Sequence, residues 1–158
     1  VLPYFSGERT PIHDPKARGT IFGLDLTHNR GDIFRAFLEG IAMGTAQVFE
    51  TYEAIGQKPR KVMAVGGGTK NNIWMQATSD FSKIDQVVSE KSTGASYGNA
   101  FLAALAVGAV SQRDITRWNP ALSKIKTQHS ALHAEKNKLF RQLYESSKEI
   151  AHAVADSA

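Results

Sequence analysis

Three consecutive glycines are the residues of this chain best placed to bind a ligand through the backbone. Gly66, Gly67 and Gly68 follow the apolar run at residues 61–65 and precede Asn71, which can begin a helix. Glycine lacks a Cβ atom and a helix start presents unpaired N–H groups, so a nucleotide can approach the backbone closely at such a turn. The same pattern also fits a plain tight turn between a strand and a helix, which needs glycine only for its backbone angles.

Charged residues form a second group with chemical potential, in a loop near residue 10. Glu8, Arg9 and Asp14 lie close together in a stretch that is rich in proline and glycine. Carboxylates near a guanidinium can take part in catalysis or form an ion pair. We favour an internal salt bridge that holds this irregular loop, and we assign neither Glu8 nor Asp14 as a catalytic base.

One pair of histidines has the spacing of metal ligands. His129 and His133 lie one helical turn apart, near the start of a predicted helix. A zinc site needs at least three protein ligands, and the chain contains no cysteine and no third ligand nearby. We therefore interpret the histidines as surface residues and predict no metal site.

Alternating helices and strands must position these residues. Apolar residues recur at spacings of three and four over residues 32–55, which predicts a long amphipathic helix on which Gly40 and Gly44 allow another backbone to approach. The other predicted elements are a short strand at 20–24, a buried strand at 60–65, a helix at 71–81 capped by Asn71 or Thr69, a strand at 84–88, a helix from Gly94 capped by Thr93, and a packing helix from 130 to about 154.

The order of elements from residue 60 onward predicts two parallel strands joined by a right-handed crossover. Ligands of such sheets bind beyond the carboxyl ends of the strands. There the glycine turn, residues 66–68, follows the first strand, and residues 92–94 follow the second. We therefore expect two helix starts, at about Asn71 and Gly94, to border one crevice, with positive dipole ends that suit a nucleotide.

Composition limits the class of protein. With 158 residues, of which 42% are hydrophobic, the chain can form one substantial core. No apolar run is long enough to span a membrane, and the absence of cysteine fits a reducing compartment, so we expect a cytoplasmic protein. The net charge of +4 is scattered among acidic residues, which argues against nucleic acid as a partner. Because the chain opens on Val1 rather than on Met, we expect the gene product to begin upstream.

Known nucleotide motifs narrow the choice further. The chain has no P-loop pattern, and its glycines do not follow G-x-G-x-x-G. Two segments, GTIFGL at 19–24 and DIFRAFLE at 32–39, instead resemble the carboxy-terminal signature of the FGGY family of carbohydrate kinases, although Phe37 stands where smaller residues are usual. Further segments agree in order, and the first of them resembles the xylulose-kinase branch of the family: LPYFSGERTP at 2–11, GGGTKNNIWMQ at 66–76 and STGASYGNA at 92–100.

The resemblance implies an α/β fold that is part of an actin-like ATPase (ribonuclease H-like) domain, helix-rich with a small, partly parallel sheet. The implied activity is ATP-dependent phosphorylation of a sugar hydroxyl, with a pentulose such as xylulose as substrate, Mg²⁺ on the phosphates and an aspartate as general base. Residues 1–158 would then be the carboxy-terminal, nucleotide-binding domain of a sugar kinase, truncated at its amino-terminal side. We expect the catalytic aspartate upstream of Val1.

The resemblance also assigns cofactor-binding residues. Gly67 and Gly68 would form backbone walls against the adenosine and its phosphates. Asn71 would face the adenine, cap the helix that it precedes, or do both. Asn72 and Gln76 can reach the cleft or point to water, and both readings stay open.

Two other positions take roles from the resemblance. Asp80 stands where the family often has an acid, and we interpret it as structural rather than as a metal ligand. The loop of Glu8 and Arg9 would lie near the domain interface of a complete enzyme, where it can take part in domain closure.

The predicted function of the full protein is therefore that of a sugar kinase. We expect this fragment alone to be inactive and to associate with itself through exposed apolar surface. One alternative is a non-catalytic nucleotide-binding or packing module. Another is a different actin-like ATPase, against which the signature at residues 19–39 argues. The kinase hypothesis requires that an amino-terminal domain with a catalytic aspartate precedes this sequence, whereas the non-catalytic module does not.

Overall fold

About half of the described residues lie in α-helices, and the computed structural model describes residues 1–91 and 94–157. The helices are α1 (Arg30–Ala54), α2 (Asn72–Ser82), α3 (Ala95–Ala106), α4 (Ile115–Trp118) and α5 (Ala131–Asp156). The strands are β1 (Val62–Ala64), β2 (Gln86–Ser89) and β3 (Ala121–Ile125). Short 3-10 turns at Gly67–Lys70 and Gln112–Asp114 precede α2 and α4. No helix in these ranges is long and apolar enough to cross a membrane.

The three strands form one mixed sheet in the order β1, β2, β3. β1 and β2 are parallel, with Ala64 beside Val88, which confirms the predicted crossover through α2. β3 pairs antiparallel to the other side of β2, with an irregularity between Val88 and Ser89, and was not predicted. Within the described residues, β1 pairs on one side only, so the prediction of a buried strand is wrong: Met63 is 46% exposed.

The predicted strand at residues 20–24 is also wrong. Only Thr20 pairs, through two backbone hydrogen bonds to Leu2 of 2.9 and 3.0 Å. The apolar side chains of Ile21, Phe22 and Leu24 are exposed, since no neighbouring strand lies beside them in the described part of the chain. β-branched and aromatic residues favour extended backbone, but a strand also needs a partner for its N–H and C=O groups.

α1 begins where its polar residues can cap it. The side chain of Asn29 accepts a hydrogen bond from the Gly31 N–H at 2.7 Å, and the Asp32 carboxylate accepts one from the Asn29 N–H at 3.0 Å. Gly40 allows a close approach, as predicted: a Cβ atom there would lie 2.6 Å from the Val1 carbonyl oxygen. Gly44 has no such neighbour within 4 Å.

The core lies where α1, α2, α5 and the amino-terminal segment meet. Buried apolar residues from all four form one cluster, and they include Leu2, Tyr4, Ala42, Ala46, Phe81, Phe140 and Tyr144. α5 therefore packs on the core, as predicted, through Phe140, Leu143 and Tyr144. The other apolar residues of its predicted stripe are more than half exposed: Leu132, Leu139, Ile150 and Val154. Asn71 caps α2, as predicted, whereas the predicted cap Thr93 and its neighbour Ser92 lie outside the described residues.

Candidate functional site

Gly66 turns the chain at the end of β1. Its φ of +94° lies in the left-handed region that favours glycine. The carbonyl of Gly66 accepts hydrogen bonds from the N–H and the hydroxyl of Thr69, at 3.2 and 2.8 Å. The N–H of Asn71 then donates to the carbonyl of Gly68 at 3.0 Å. Internal hydrogen bonds thus define the shape of the turn.

The two glycines after Gly66 have different surroundings. A Cβ atom on Gly68 would lie 2.8 Å from the ring of Trp74, closer than real Cβ atoms come to such a group. A Cβ atom on Gly67, which is exposed, would meet no atom within 4 Å. A plain tight turn therefore explains Gly66 and Gly68, but it gives no reason for the missing side chain at Gly67. The outer face of Gly67 is open to a ligand.

Asn71 caps α2 with the acceptor end of its side chain. Its Oδ1 atom accepts a hydrogen bond from the Trp74 N–H at 3.0 Å. In the described part of the chain, no acceptor contacts its Nδ2 group. The two N–H donors of the amide are therefore available for a role beyond capping.

The starts of α2 and α3 follow parallel neighbouring strands. Because β1 and β2 run in the same direction, the glycine turn and Gly94 both leave the same edge of the sheet. The first turns of α2 and α3 contain no acidic residue, whereas α1 has Asp32 in its first turn. No carboxylate in either first turn offsets the positive end of the helix dipole, so both helix starts favour an anionic ligand.

The residues just before β3 contact the backbone just after β2, which the sequence did not predict. The side chain of Asn119 makes two hydrogen bonds with the backbone of Lys91, both of 2.9 Å. One residue earlier, the carbonyl of Trp118 accepts a hydrogen bond from the Tyr97 hydroxyl in the first two turns of α3, also at 2.9 Å. The Asn-Pro pair at 119–120 is a turn signal in the sequence, but nothing local indicates which strand the turn contacts.

Asp80 ties α2 to the segment after β3. Its Oδ1 atom accepts hydrogen bonds from the Gln76 side chain at 2.8 Å and from the Gln128 N–H at 2.6 Å, and the residue is buried. Gln76 also donates to the carbonyl of Lys126 at 3.0 Å. These contacts agree with a structural role for Asp80. Gln76 is thus half-buried and hydrogen-bonded within the protein, while Asn72 is exposed.

The prediction of a salt bridge within the first loop is wrong, because Asp14 contacts residues of α5 instead. The carboxylate of Asp14 accepts hydrogen bonds from the Tyr144 hydroxyl at 2.8 Å and from His152 Nε2 at 2.8 and 2.9 Å. Glu8 bonds to Asp14 only through the backbone, and Arg9 forms no ion pair within the described residues. Burial raises the pKa of Asp14, but hydrogen bonds from His152 and Tyr144 outweigh it and hold the pKa at about 2.

The interpretation of His129 and His133 as surface residues is also wrong in part. His129 and His133 are half-buried around Asp80, and a ring nitrogen of His129 lies 2.8 Å from the Asp80 carbonyl oxygen. His152 is half-buried against Asp14. Among the residues that the structure describes, no group of three histidine, aspartate or glutamate side chains could hold a metal ion.

Comparison with known proteins finds relatives over about two thirds of the chain. The model of the FGGY family of carbohydrate kinases, C-terminal domain, matches residues 1–107. The xylulose kinase of Bacillus subtilis is 37% identical over 106 residues, which are 67% of this chain and 21% of that protein. The chain thus spans about a fifth of the length of this curated relative.

Solved structures extend the similarity beyond residue 107. The xylulose kinase of Rhodospirillum rubrum matches with a TM-score of 0.80 and 29% identity, over 96% of this chain and 31% of that one. The glycerol kinase of Plasmodium falciparum, solved with ADP, matches with a TM-score of 0.75 and 27% identity, over 95% of this chain and 30% of that one.

Fold and sheet edge together define part of a domain with the actin-like ATPase fold, helix-rich with a small mixed sheet. Within that class, this chain belongs to the FGGY family of carbohydrate kinases.

Proposed function

We propose that the full protein is an ATP-dependent carbohydrate kinase and that this chain supplies the adenosine-binding side of its cleft. The observation that carries the proposal is the shared sheet edge. There the glycine turn and the start of α3 leave the parallel strands β1 and β2, and neither helix has an acidic residue in its first turn. The similar glycerol kinase of Plasmodium falciparum was solved with ADP, which supports a nucleotide as the ligand.

In this proposal, Gly67, Gly68 and Asn71 border the nucleotide. Gly67 presents its open face to the ligand, and Gly68 fixes the turn through its contact with Trp74. The Nδ2 group of Asn71 is the donor that remains for the adenine, since its Oδ1 atom caps α2. The N-terminal ends of α2 and α3 attract the phosphates.

Other parts of the full protein complete the chemistry in this proposal. The described residues offer no acidic cluster for Mg²⁺, so the phosphates and carboxylates outside this chain would hold the ion. When bound, Mg²⁺ neutralises phosphate charge during phosphoryl transfer. The general-base aspartate likewise belongs to the rest of the protein. We propose a pentulose such as xylulose as the sugar, because the similar proteins include xylulose kinases. We propose the cytoplasm as the compartment.

A nucleotide titration of this chain tests the proposal. Gly67→Val fills the open face without an internal collision, so it should weaken ADP binding about tenfold or more while the fold persists. Gly44→Val is the matched control, because a Cβ atom there also meets nothing within 4 Å. Isothermal titration gives the affinities. No ADP binding by the parent chain, or equal binding by both variants, contradicts the proposal.

A further inference from the structure

The loop that carries Glu8 and Arg9 is closed at its base by Asp14. The N–H of Glu8 donates to the Asp14 carbonyl at 2.9 Å, and the N–H of Asp14 donates back to the Glu8 carbonyl at 2.7 Å. Within the loop, the N–H of His13 donates to the Arg9 carbonyl at 3.1 Å. Glu8, Arg9 and His13 line a cavity of about 490 Å³ on this loop. The position of Asp14 therefore determines how these three side chains are presented.

The side chain of Asp14 is held mainly from the other end of the chain. Nearby residues supply one donor, the N–H of Lys16 at 3.0 Å. The Tyr144 hydroxyl and the Nε2 atom of His152, both on α5, supply the others. Asp14 is only 6% exposed, so a carboxylate there needs these donors in place of water. A carboxylate can only accept, which requires Nε2 of His152 to carry the proton.

The two donors lie outside the part of the chain that matches the family model. That match ends at residue 107, whereas Asp14 lies within it. We propose that Tyr144 and His152 are positioning residues for the loop at residues 8–14, and that through Asp14 they fix where Glu8 and Arg9 are presented. This inference goes beyond the proposed function, because it does not depend on a nucleotide.

The competing explanation is that both residues only stabilise the core. The ring of Tyr144 packs edge-on against Tyr4, at 5.9 Å between centroids, so its loss would damage the core directly. Tyr144→Phe removes the hydroxyl alone and keeps this packing. At position 152, Ala removes the donor, whereas Gln restores an N–H near the place of Nε2.

Amide hydrogen exchange of the 158-residue chain, followed by NMR, tests the inference. We expect Tyr144→Phe and His152→Ala to speed exchange of the Glu8 and Asp14 N–H groups about tenfold or more, as for loss of a hydrogen bond to a charged group. Exchange in α1, for example at Ala46, should speed up less than exchange in the loop. His152→Gln should restore slow exchange. The matched controls are Tyr52→Phe and His28→Ala, which alter exposed residues outside the loop.

Three results would overturn the inference. They are unchanged exchange at Glu8 and Asp14, equal acceleration in the loop and in α1, and failure of Gln to restore what Ala removes at position 152. A measurement on the unmodified chain adds a check that needs no variant: the ring ¹⁵N shifts of His152 must show a protonated Nε2 atom. A neutral ring protonated at Nδ1 only would also overturn the inference, because Nε2 could then not donate to Asp14.

Discussion

Gly68 lies directly against Trp74, so closely that a Cβ atom would come within 2.8 Å of the ring. Gly68→Ala should therefore lower the free energy of unfolding by about 1–3 kcal/mol, the usual cost of overpacking. Trp74→Leu in the same chain should recover part of the loss, because the smaller side chain leaves room. Urea unfolding of the two single variants and the double variant measures the coupling. A Gly68→Ala chain as stable as the parent would show that the contact is not tight.

The pH dependence of stability should report Asp14. Its pKa of about 2 in the folded chain lies below the ordinary 3.8, so the carboxylate stabilises the fold above about pH 4. This stabilisation, about 2 kcal/mol from the difference in pKa, is lost as the pH falls towards 2. Asp14→Asn should be less stable at pH 7, with a gap that closes between pH 4 and 2. Thermal unfolding across this range measures the gap.

Asp156 provides the control for that experiment. It forms an ion pair with Lys16 at 2.6 Å, but both side chains are about half exposed. Exposed pairs contribute little to stability. Asp156→Asn should therefore leave the stability nearly unchanged from pH 7 to pH 2. An equal acid dependence of both variants would show that the effect at Asp14 is not specific.

Replacement of Asp80 should affect stability and not nucleotide binding. Asp80→Ala leaves the donors of Gln76 and Gln128 without their shared acceptor, which should cost about 2–3 kcal/mol. Asp80 lies about 12 Å along the helix axis from the start of α2, so ADP affinity should not change. Chemical unfolding and calorimetric titration separate the two effects. Normal stability with lost ADP binding would instead place Asp80 at the ligand.

We predict that this chain alone does not transfer phosphate. In our proposal, the general base and the carboxylates for Mg²⁺ lie elsewhere in the full protein. A coupled assay with ATP, Mg²⁺ and a panel of sugars should therefore detect no sugar-dependent ADP release. Release above the background would contradict this division of roles. Activity in a longer gene product would favour the kinase over the non-catalytic nucleotide-binding module.

Self-association is expected from the apolar residues that the chain exposes. In the segment before α1, Leu26 is fully accessible and Phe22 largely so. Accessible apolar residues also lie in or next to β1, namely Met63 and Val65. Sedimentation velocity at increasing concentration should show dimers or larger species. Leu26→Asp should shift the equilibrium towards the monomer. A chain that stays monomeric at high concentration would contradict the expectation.

The elements with strong local signals could be predicted from the sequence. α1 and α5 have an apolar stripe, and the start of α1 has the capping pair Asn29 and Asp32. The glycine turn follows directly from its residues. β3 could not be predicted, because its side chains are mostly exposed and show no alternation of apolar and polar residues. Its strand conformation follows from the pairing with β2. Residues 20–24 show the reverse case, since their β-forming residue types find no strand to pair with.

The partners of Asp14 could not be predicted for a different reason. Tyr144 and His152 lie 130 and 138 positions away, and periodicity within a helix does not indicate which distant residue it contacts. The same holds for Asn119 and Lys91, which are 28 positions apart. At the turn, the sequence indicated a tight turn but not the separate surroundings of its glycines, because the packing of Trp74 distinguishes Gly68 from Gly67.

The contact between Asp14 and His152 also orders events during translation. A ribosome adds His152 138 steps after Asp14, so the carboxylate has no imidazole to accept from until α5 has emerged. Until then, the side chain of Asp14 lacks the two donors that hold it in the folded chain. A chain that ends before α5 would leave this carboxylate to be hydrated by water instead.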